Sequence, residues 1–239
     1  MKSSFAAFLF DIDGTLLRAG GAGRRAFSRA MADLVGPVIA PVAAMKFDGM
    51  TDRMIVREAL ALSGRAFDAA LAGAILVRYL EHLPDELESP DFRVLPGVAA
   101  TLGALQARGA AMGLCTGNLA LGAQLKLRHA GLEGYFDWSP AGMHGFAEDG
   151  EARARLVAAA VTRVSAALGR AVAPAEVLII GDTPRDVLAA REVGCTVLCV
   201  ATGNSDAAAL QACRPDAVAE SLQHPDARRM LGLGPGLED

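Results

Sequence analysis

The sequence predicts an α/β protein: a doubly wound parallel-sheet core with a small helical segment inserted into it. Three observations carry this. Short apolar runs recur at 5–10, 111–115, 177–180 and 196–200, with a shorter one at 216–219, each of strand rather than helix length. Helical periodicity fills the gaps, at 98–108, 119–130, 153–168, 184–193 and 206–212. Strands alternating with helices at that spacing give a parallel sheet covered on both faces. Residues 18–92 break the alternation.

The first strand, 5–10, ends at an acidic, glycine-containing turn, Asp11-Ile12-Asp13-Gly14-Thr15. The insert follows, with helical patterns at 24–35, 52–62 and 67–83 and no strand. It opens on Gly20, Gly21 and Gly23 and closes near Pro84, Pro90 and Pro96, punctuation that marks the ends of an inserted unit. The expected division is therefore a core of 1–17 and 93–239 and a helical unit of 18–92. The last dozen residues, with Gly232, Pro235 and Gly236, read as a loose tail.

Composition narrows the class. The chain has 239 residues, 52% of them apolar and 5% aromatic, so Ala, Leu and Val must build the core. The formal charge is −4 with acids and bases interspersed, which argues against a nucleic-acid partner. No apolar stretch approaches membrane length, and Asp11 interrupts the run behind Lys2 too early for a signal core. The four cysteines form no CxxC pair and no His cluster joins them, as suits buried thiols in a reducing cytoplasm rather than a zinc site. A soluble, cytoplasmic protein is expected.

In open parallel sheets ligands gather beyond the carboxyl ends of the strands, and three such ends carry polar clusters. They are Asp11 to Thr15, Thr116-Gly117-Asn118, and Gly181-Asp182-Thr183-Pro184-Arg185-Asp186. Each also has a plain structural reading. Asp-Gly is a common turn, Asn118 suits the cap of the helix that follows, and Thr183-Pro184 suits a helix start. Taken together they bring four carboxylates and three hydroxyls to one sheet edge. Carboxylates so gathered repel unless a cation or proton intervenes. A hard, oxygen-liganded cation such as Mg2+ is the simplest remedy.

These clusters, in this order, resemble the first, second and fourth motifs of the haloacid dehalogenase superfamily of phosphatases, and the resemblance runs over about 5–218. The insert resembles the cap that many members carry between the first two motifs. The resemblance implies a Mg2+-dependent phosphatase of the phosphoglycolate phosphatase type, acting on a small phosphorylated metabolite through an aspartyl-phosphate. Asp11 would be the nucleophile and Asp13 the general acid and base. The ion would meet Asp11, the backbone carbonyl of Asp13 and Asp182, with Asp186 steadying that shell. Thr116 would hold the phosphoryl group, with Gly14, Thr15, Gly117 and Asn118 around it and Asn118 orienting Asp11 or its loop. The third motif departs from the family, for no lysine follows Lys126. Arg153 is the favoured cation and Arg155 the second choice, since a guanidinium stays charged and grips phosphate with paired donors. In the insert, the loop 47–52 resembles the one that faces the site in phosphoglycolate phosphatase-like members, with Thr51 as a substrate contact or, equally, a helix cap. Arg24 and Arg53 are candidates for a second anionic group of the substrate.

Other readings stay open at this level. A dehalogenase would share Asp11 but has no use for Asp13, and a phosphomutase would share every motif. A noncatalytic phospho-receiver has comparable aspartates on about half this length. The Gly20–Gly23 region is not a GxGxxG element after a strand, and no GxSxG elbow occurs, so a dinucleotide cradle and a serine hydrolase are set aside. The physiological substrate and the oligomeric state are not legible in the sequence.

Overall fold

A computed structural model describes residues 5–234. Its centre is a parallel sheet of β1 (Ala7–Phe10), β4 (Met112–Leu114), β5 (Val177–Gly181), β6 (Thr196–Val200) and β7 (Ala217–Ala219), in the order β4-β1-β5-β6-β7. β1 is flanked on both sides, with Phe8 level with Met112 and Leu178, and Phe10 level with Leu114 and Ile180. The strands added after β1 lie on both sides of it, β4 on one and β5 to β7 on the other, and the crevice of such a sheet opens beyond the carboxyl ends of the strands at that switch point.

The strands are apolar throughout because both faces are covered. Phe8, Phe10, Leu178, Ile180, Leu198 and Val200 point to one face. There they meet Val98, Leu102 and Leu105 of α5 (Val98–Ala107), Ala123 and Leu127 of α6 (Ala120–His129), and Ala227 of α10 (Pro225–Met230). Ala7, Leu9, Val177, Ile179, Val197 and Cys199 alternate to the other face. They pack on α7 (Arg153–Ala167), α8 (Pro184–Val193) and Leu210 of α9 (Ala207–Ala212).

Between β1 and α5 the chain leaves the sheet through β2 (Leu17–Ala19) and returns through β3 (Phe92–Val94), which pair antiparallel with Leu17 opposite Val94. This ribbon is a correction to the expected strand-free insert. Three residues per strand are too few to display alternation, and the pairing partner is remote in sequence. Within the loop lie α1 (Ala22–Leu34), α2 (Ala40–Ala43), α3 (Asp52–Leu62) and α4 (Ala69–Leu87). α1 and α4 lie against each other through Ala26, Phe27, Ala30 and Met31 on one side and Ile75, Tyr79 and Leu83 on the other. A second correction concerns α4, which runs past Pro84 to Leu87. Proline removes one helical N–H and disturbs the preceding turn, but the buried Leu83 and Leu87 hold the last turn in register.

A third correction lies at the C-terminus. Residues 228–230 complete α10 and Leu231 is fully buried, so the described part of the expected tail is packed. Pro235, Gly236 and Lys2 lie outside the described residues. All four cysteines are free thiols. Among the described residues no helix is long and apolar enough to cross a membrane.

Candidate active site

The three polar clusters converge beyond the carboxyl ends of β1, β4 and β5. β1 stops where the Asp11 amide donates to the Ile180 carbonyl at 2.8 Å. The chain then turns sharply, with the Gly14 amide returning to the Leu17 carbonyl. Gly14 has φ +89°, a left-handed conformation, and a Cβ there would overlap the Asp182 carboxylate. Only glycine satisfies both demands. Thr15 donates its hydroxyl to Asp182 Oδ1 at 3.1 Å.

Asp11, Asp182 and Asp186 each present a carboxylate oxygen within 4.8 Å of the other two, and all three residues are buried. Asp186 is locked by local sequence. Thr183 caps α8, and Asp186 Oδ2 accepts from the Thr183 amide (3.0 Å) and hydroxyl (2.7 Å) in a reciprocal capping box. Arg153, the first residue of α7, sets Nη2 2.9 Å from Asp11 Oδ2 and 2.5 Å from Asp186 Oδ1. These are ion pairs without hydrogen-bond alignment, so Nη2 retains unused donor capacity in a buried place. Arg155 is exposed; of the two candidates only Arg153 reaches the carboxylates.

The electrostatics point the same way. Burial pushes the Asp11 carboxyl up to about 6; Arg153 pulls it back, while Asp186 and Asp13 push it further up. Asp182 is driven well above the usual carboxylate range by burial and then by the charges of Asp11 and Asp186. Burial works against the charge of Arg153, yet Asp11 and Asp186 raise the guanidinium above its ordinary value. One arginine among three buried carboxylates leaves excess negative charge that a divalent cation would offset. All-oxygen donors at this spacing, with an unsatisfied buried Nη2 beside them, fit a hard cation together with an anionic ligand.

Asp13 stands apart from that group. Its Oδ2 accepts from Lys126 Nζ at 2.6 Å and from Asn118 Nδ2 at 2.8 Å. The Asn118 amide also donates to Thr116 Oγ1 at 2.7 Å. Asn118 thus orients Asp13, two residues beyond Asp11 on the same loop. The Thr116 hydroxyl accepts from Asn118 and keeps its own proton for another acceptor.

These groups open into a cavity of about 280 Å3. Asp11, Asp13, Thr116, Gly117, Asn118, Lys126, Arg153 and Asp182 line it on the sheet side. α1, α3, α4 and the 47–50 loop supply Arg24, Phe27, Phe47, Ile55, Leu76 and Tyr79 on the other. Burial pushes the Asp52 carboxyl, at the cavity edge, up to about 6, against the pull of Lys126 and of the Leu119 amide that it accepts from.

Three expected substrate contacts do not touch this cavity. Thr51 is fully buried; its hydroxyl accepts from the Met54 amide and donates to the Glu151 carbonyl, so it is a helix cap and a clasp. Thr15 and Gly14 shape Asp182 instead. Arg24 does line the cavity, but its guanidinium donates to the carbonyls of Ala43 and Met45 and lies over the Phe47 ring. Arg53 is exposed and does not line it. Lys126 and Tyr79 were missed by sequence reasoning. The signal for Lys126 was its place in the stripe Gly122, Ala123, Lys126, Leu127, where a helix facing a core leaves no room for a solvated cation.

A family model described as haloacid dehalogenase-like hydrolase matches residues 5–194. A phosphoglycolate phosphatase from Rhodospirillum rubrum is 31% identical over 204 residues, 83% of this chain and 80% of that protein. One from Thiobacillus denitrificans is 28% identical over 217 residues, 90% of this chain and 92% of the relative. A solved structure of a candidate β-phosphoglucomutase from Bacteroides vulgatus superposes with a TM-score of 0.70 at 19% identity, covering 95% of this chain and 89% of that one; at that identity the likeness bears on the fold alone.

Proposed function

Since the chain belongs to the haloacid dehalogenase-like hydrolase family, we propose that it is a Mg2+-dependent phosphatase of small phosphomonoesters that works through an aspartyl-phosphate at Asp11. The observation that carries the reading is the meeting of Asp11, Asp182 and Asp186 with Arg153 at one end of a cavity, with Asp13 and Thr116 on the same wall. Phosphoglycolate, the substrate named for the relatives, or a sugar phosphate is the expected type.

In this mechanism Asp11 and Asp182 would hold the ion, with Asp186 behind them anchoring Arg153. When bound, the ion offsets the charge of the phosphoryl oxygens, so that an anionic nucleophile can approach phosphorus. Arg153 Nη2 and the Thr116 hydroxyl bind phosphoryl oxygens as their charge redistributes. An Asp11 oxygen attacks phosphorus in line, and the bond to the leaving oxygen breaks while Asp13 gives that oxygen its proton. Water then attacks the aspartyl-phosphate, losing a proton to Asp13, and the bond to Asp11 breaks to release phosphate. Residues 18–92 act as a cap whose Phe27, Phe47, Ile55 and Leu76 exclude water from the cavity.

The test is phosphate release over a panel of phosphoglycolate, sugar phosphates and nucleotides, with and without Mg2+. Release that depends on Mg2+ and is lost in Asp11→Asn is expected. Wild-type rates in Asp11→Asn would overturn the nucleophile. Product in which the phosphate has migrated within the substrate would replace hydrolysis by a mutase reaction.

A further inference from the structure

We propose that Lys126 is the positioning residue of the leaving-group step: with Asn118 it pins Oδ2 of Asp13, so that Oδ1 is the oxygen that carries the proton. The inference deepens the reading above and rests on Asp13 as the acid and base.

Lys126 occupies a costly position. It lies on the inward face of α6 among Gly122, Ala123 and Leu127, and it is 4% exposed. Desolvating an ammonium is unfavourable unless charge and hydrogen bonds replace the lost water. Here both do, for Nζ lies 2.6 Å from Asp13 Oδ2 and 2.6 Å from Asn118 Oδ1. The Asn118 Nδ2 closes the triangle at 2.8 Å on the same Asp13 oxygen. An ammonium has no lone pair to give, so it fixes which end of the Asn118 amide is the carbonyl, and the NH2 must face Asp13.

The consequence falls on Asp13. The terminal torsion of an aspartate is soft and nearly two-fold, so a lone carboxyl exchanges its oxygens readily. Two donors on one oxygen remove that freedom. The ion pair is asymmetric, with the Lys126 side chain 5% exposed and that of Asp13 42% exposed. The held oxygen therefore sits on the protein side. Oδ1 accepts no hydrogen bond from the described residues, and Asp13 lines the cavity. Catalytic proton transfer demands this geometry before any matching of acidity. The lysine contacts Asp13 and Asn118 and is paired with none of Asp11, Asp182 and Asp186, so it serves the acid rather than the phosphoryl group or the metal. Lys126 itself gives up no proton. The proton on Oδ1 passes to the leaving oxygen as the P–O bond breaks, and Oδ1 takes one from water in the second half-reaction.

A helix face needing only bulk would be served by methionine, which gives the test. The full chain with Mg2+ is compared with Lys126→Met and Lys126→Arg by single-turnover release of the leaving group from two substrates. Glycerol phosphate releases an alkoxide that needs a proton, whereas p-nitrophenyl phosphate releases a stable phenolate. Lys126→Met should slow glycerol release by about 10²-fold, the range of general-acid assistance, and nitrophenolate release by under about 5-fold. Lys126→Arg should recover part of the loss, and Lys126→Met should add little to Asp13→Asn on glycerol phosphate. Equal slowing of both substrates, or full additivity with Asp13→Asn, would overturn the proposal while leaving the phosphatase reading intact. No release of either leaving group by the wild-type chain would remove that reading and this inference together. Lys126→Arg and thermal unfolding of each variant separate misfolding from misplacement.

Discussion

Arg153 Nη2 lies 2.9 Å from Asp11 Oδ2, and the same nitrogen faces Asp186. One buried guanidinium thus separates two buried carboxylates while leaving donor capacity for a ligand. Removing it exposes Asp11 to Asp186 and takes away the donor proposed for the phosphoryl group. Arg153→Met should lower kcat/KM by about 10²–10³-fold, as loss of a donor to developing charge does elsewhere. Arg153→Lys should retain more activity through its charge but lose the forked contact. Steady-state kinetics with saturating Mg2+ check this; a loss below about 3-fold in Arg153→Met would show that the guanidinium is not in the reaction.

Thr51 caps α3 and hands its hydroxyl to Glu151 of the loop before α7. It joins the 18–92 segment to the site without touching the cavity. Thr51→Ala should lower stability by about 1–2 kcal/mol, the usual cost of a lost cap, and leave KM for the preferred ester within about 2-fold. Denaturant unfolding and initial rates measure the two separately. A large rise in KM without destabilisation would return Thr51 to the substrate.

The sheet was legible because each core strand is a compact apolar run ended by polar residues. The three acidic or hydroxylic clusters were legible because each sits on a contiguous loop at such an end. The ribbon of Leu17–Ala19 and Phe92–Val94 was not, since three residues carry no period and their pairing joins two distant parts of the chain. Lys126 escaped for a related reason. Its partners Asp13 and Asn118 belong to two other elements, and basic residues in the last turn of α6 suit the helix dipole without any site. Arg153 was found because the missing lysine forced the question. Asn118 was placed only at Asp11 or its loop, because the sequence does not show that Asp11 faces Asp182, Asp186 and Arg153 while Asp13, two residues on, meets Asn118 and, on α6, Lys126.

Metal and pH should act together on stability. Asp11 is pushed up to about 6 and Asp182 well upward, chiefly by burial. A carboxyl raised above its unfolded value favours folding at low pH, and that contribution fades as pH rises through the folded value. For Asp11 the window is therefore roughly pH 4 to 6 and somewhat above. Mg2+ reverses the sign by stabilising the ionised forms, and it stabilises the fold by mass action. The rise in Tm caused by millimolar Mg2+ should be small at pH 5 and larger at pH 7.5. The Asp182→Asn variant should show little of this difference. A Mg2+ effect on Tm that is flat across that range in the wild type would separate the acidic group from the ion.

Asp182 is confined between two backbone positions, for a Cβ at either Gly14 or Gly203 would overlap its carboxylate. Gly14 also has the left-handed φ of +89°, so its replacement mixes strain with crowding. Gly203 isolates the crowding, because no left-handed conformation is required there. Gly203→Ala must displace the Asp182 carboxylate or move the turn after β6, and either change opens the distance between Asp182 and Asp11. Overpacking of this kind costs roughly 1–3 kcal/mol. The sharper consequence falls on the ion, whose ligands need placement to within about half an ångström. Gly203→Ala should raise the Mg2+ concentration for half-maximal activity by at least about 10-fold, equivalent to about 1.4 kcal/mol of lost binding. Titration of activity against Mg2+ gives this directly. An unchanged titration in a folded Gly203→Ala protein would mean that Asp182 is free to adjust, and that its confinement has no part in holding the cation.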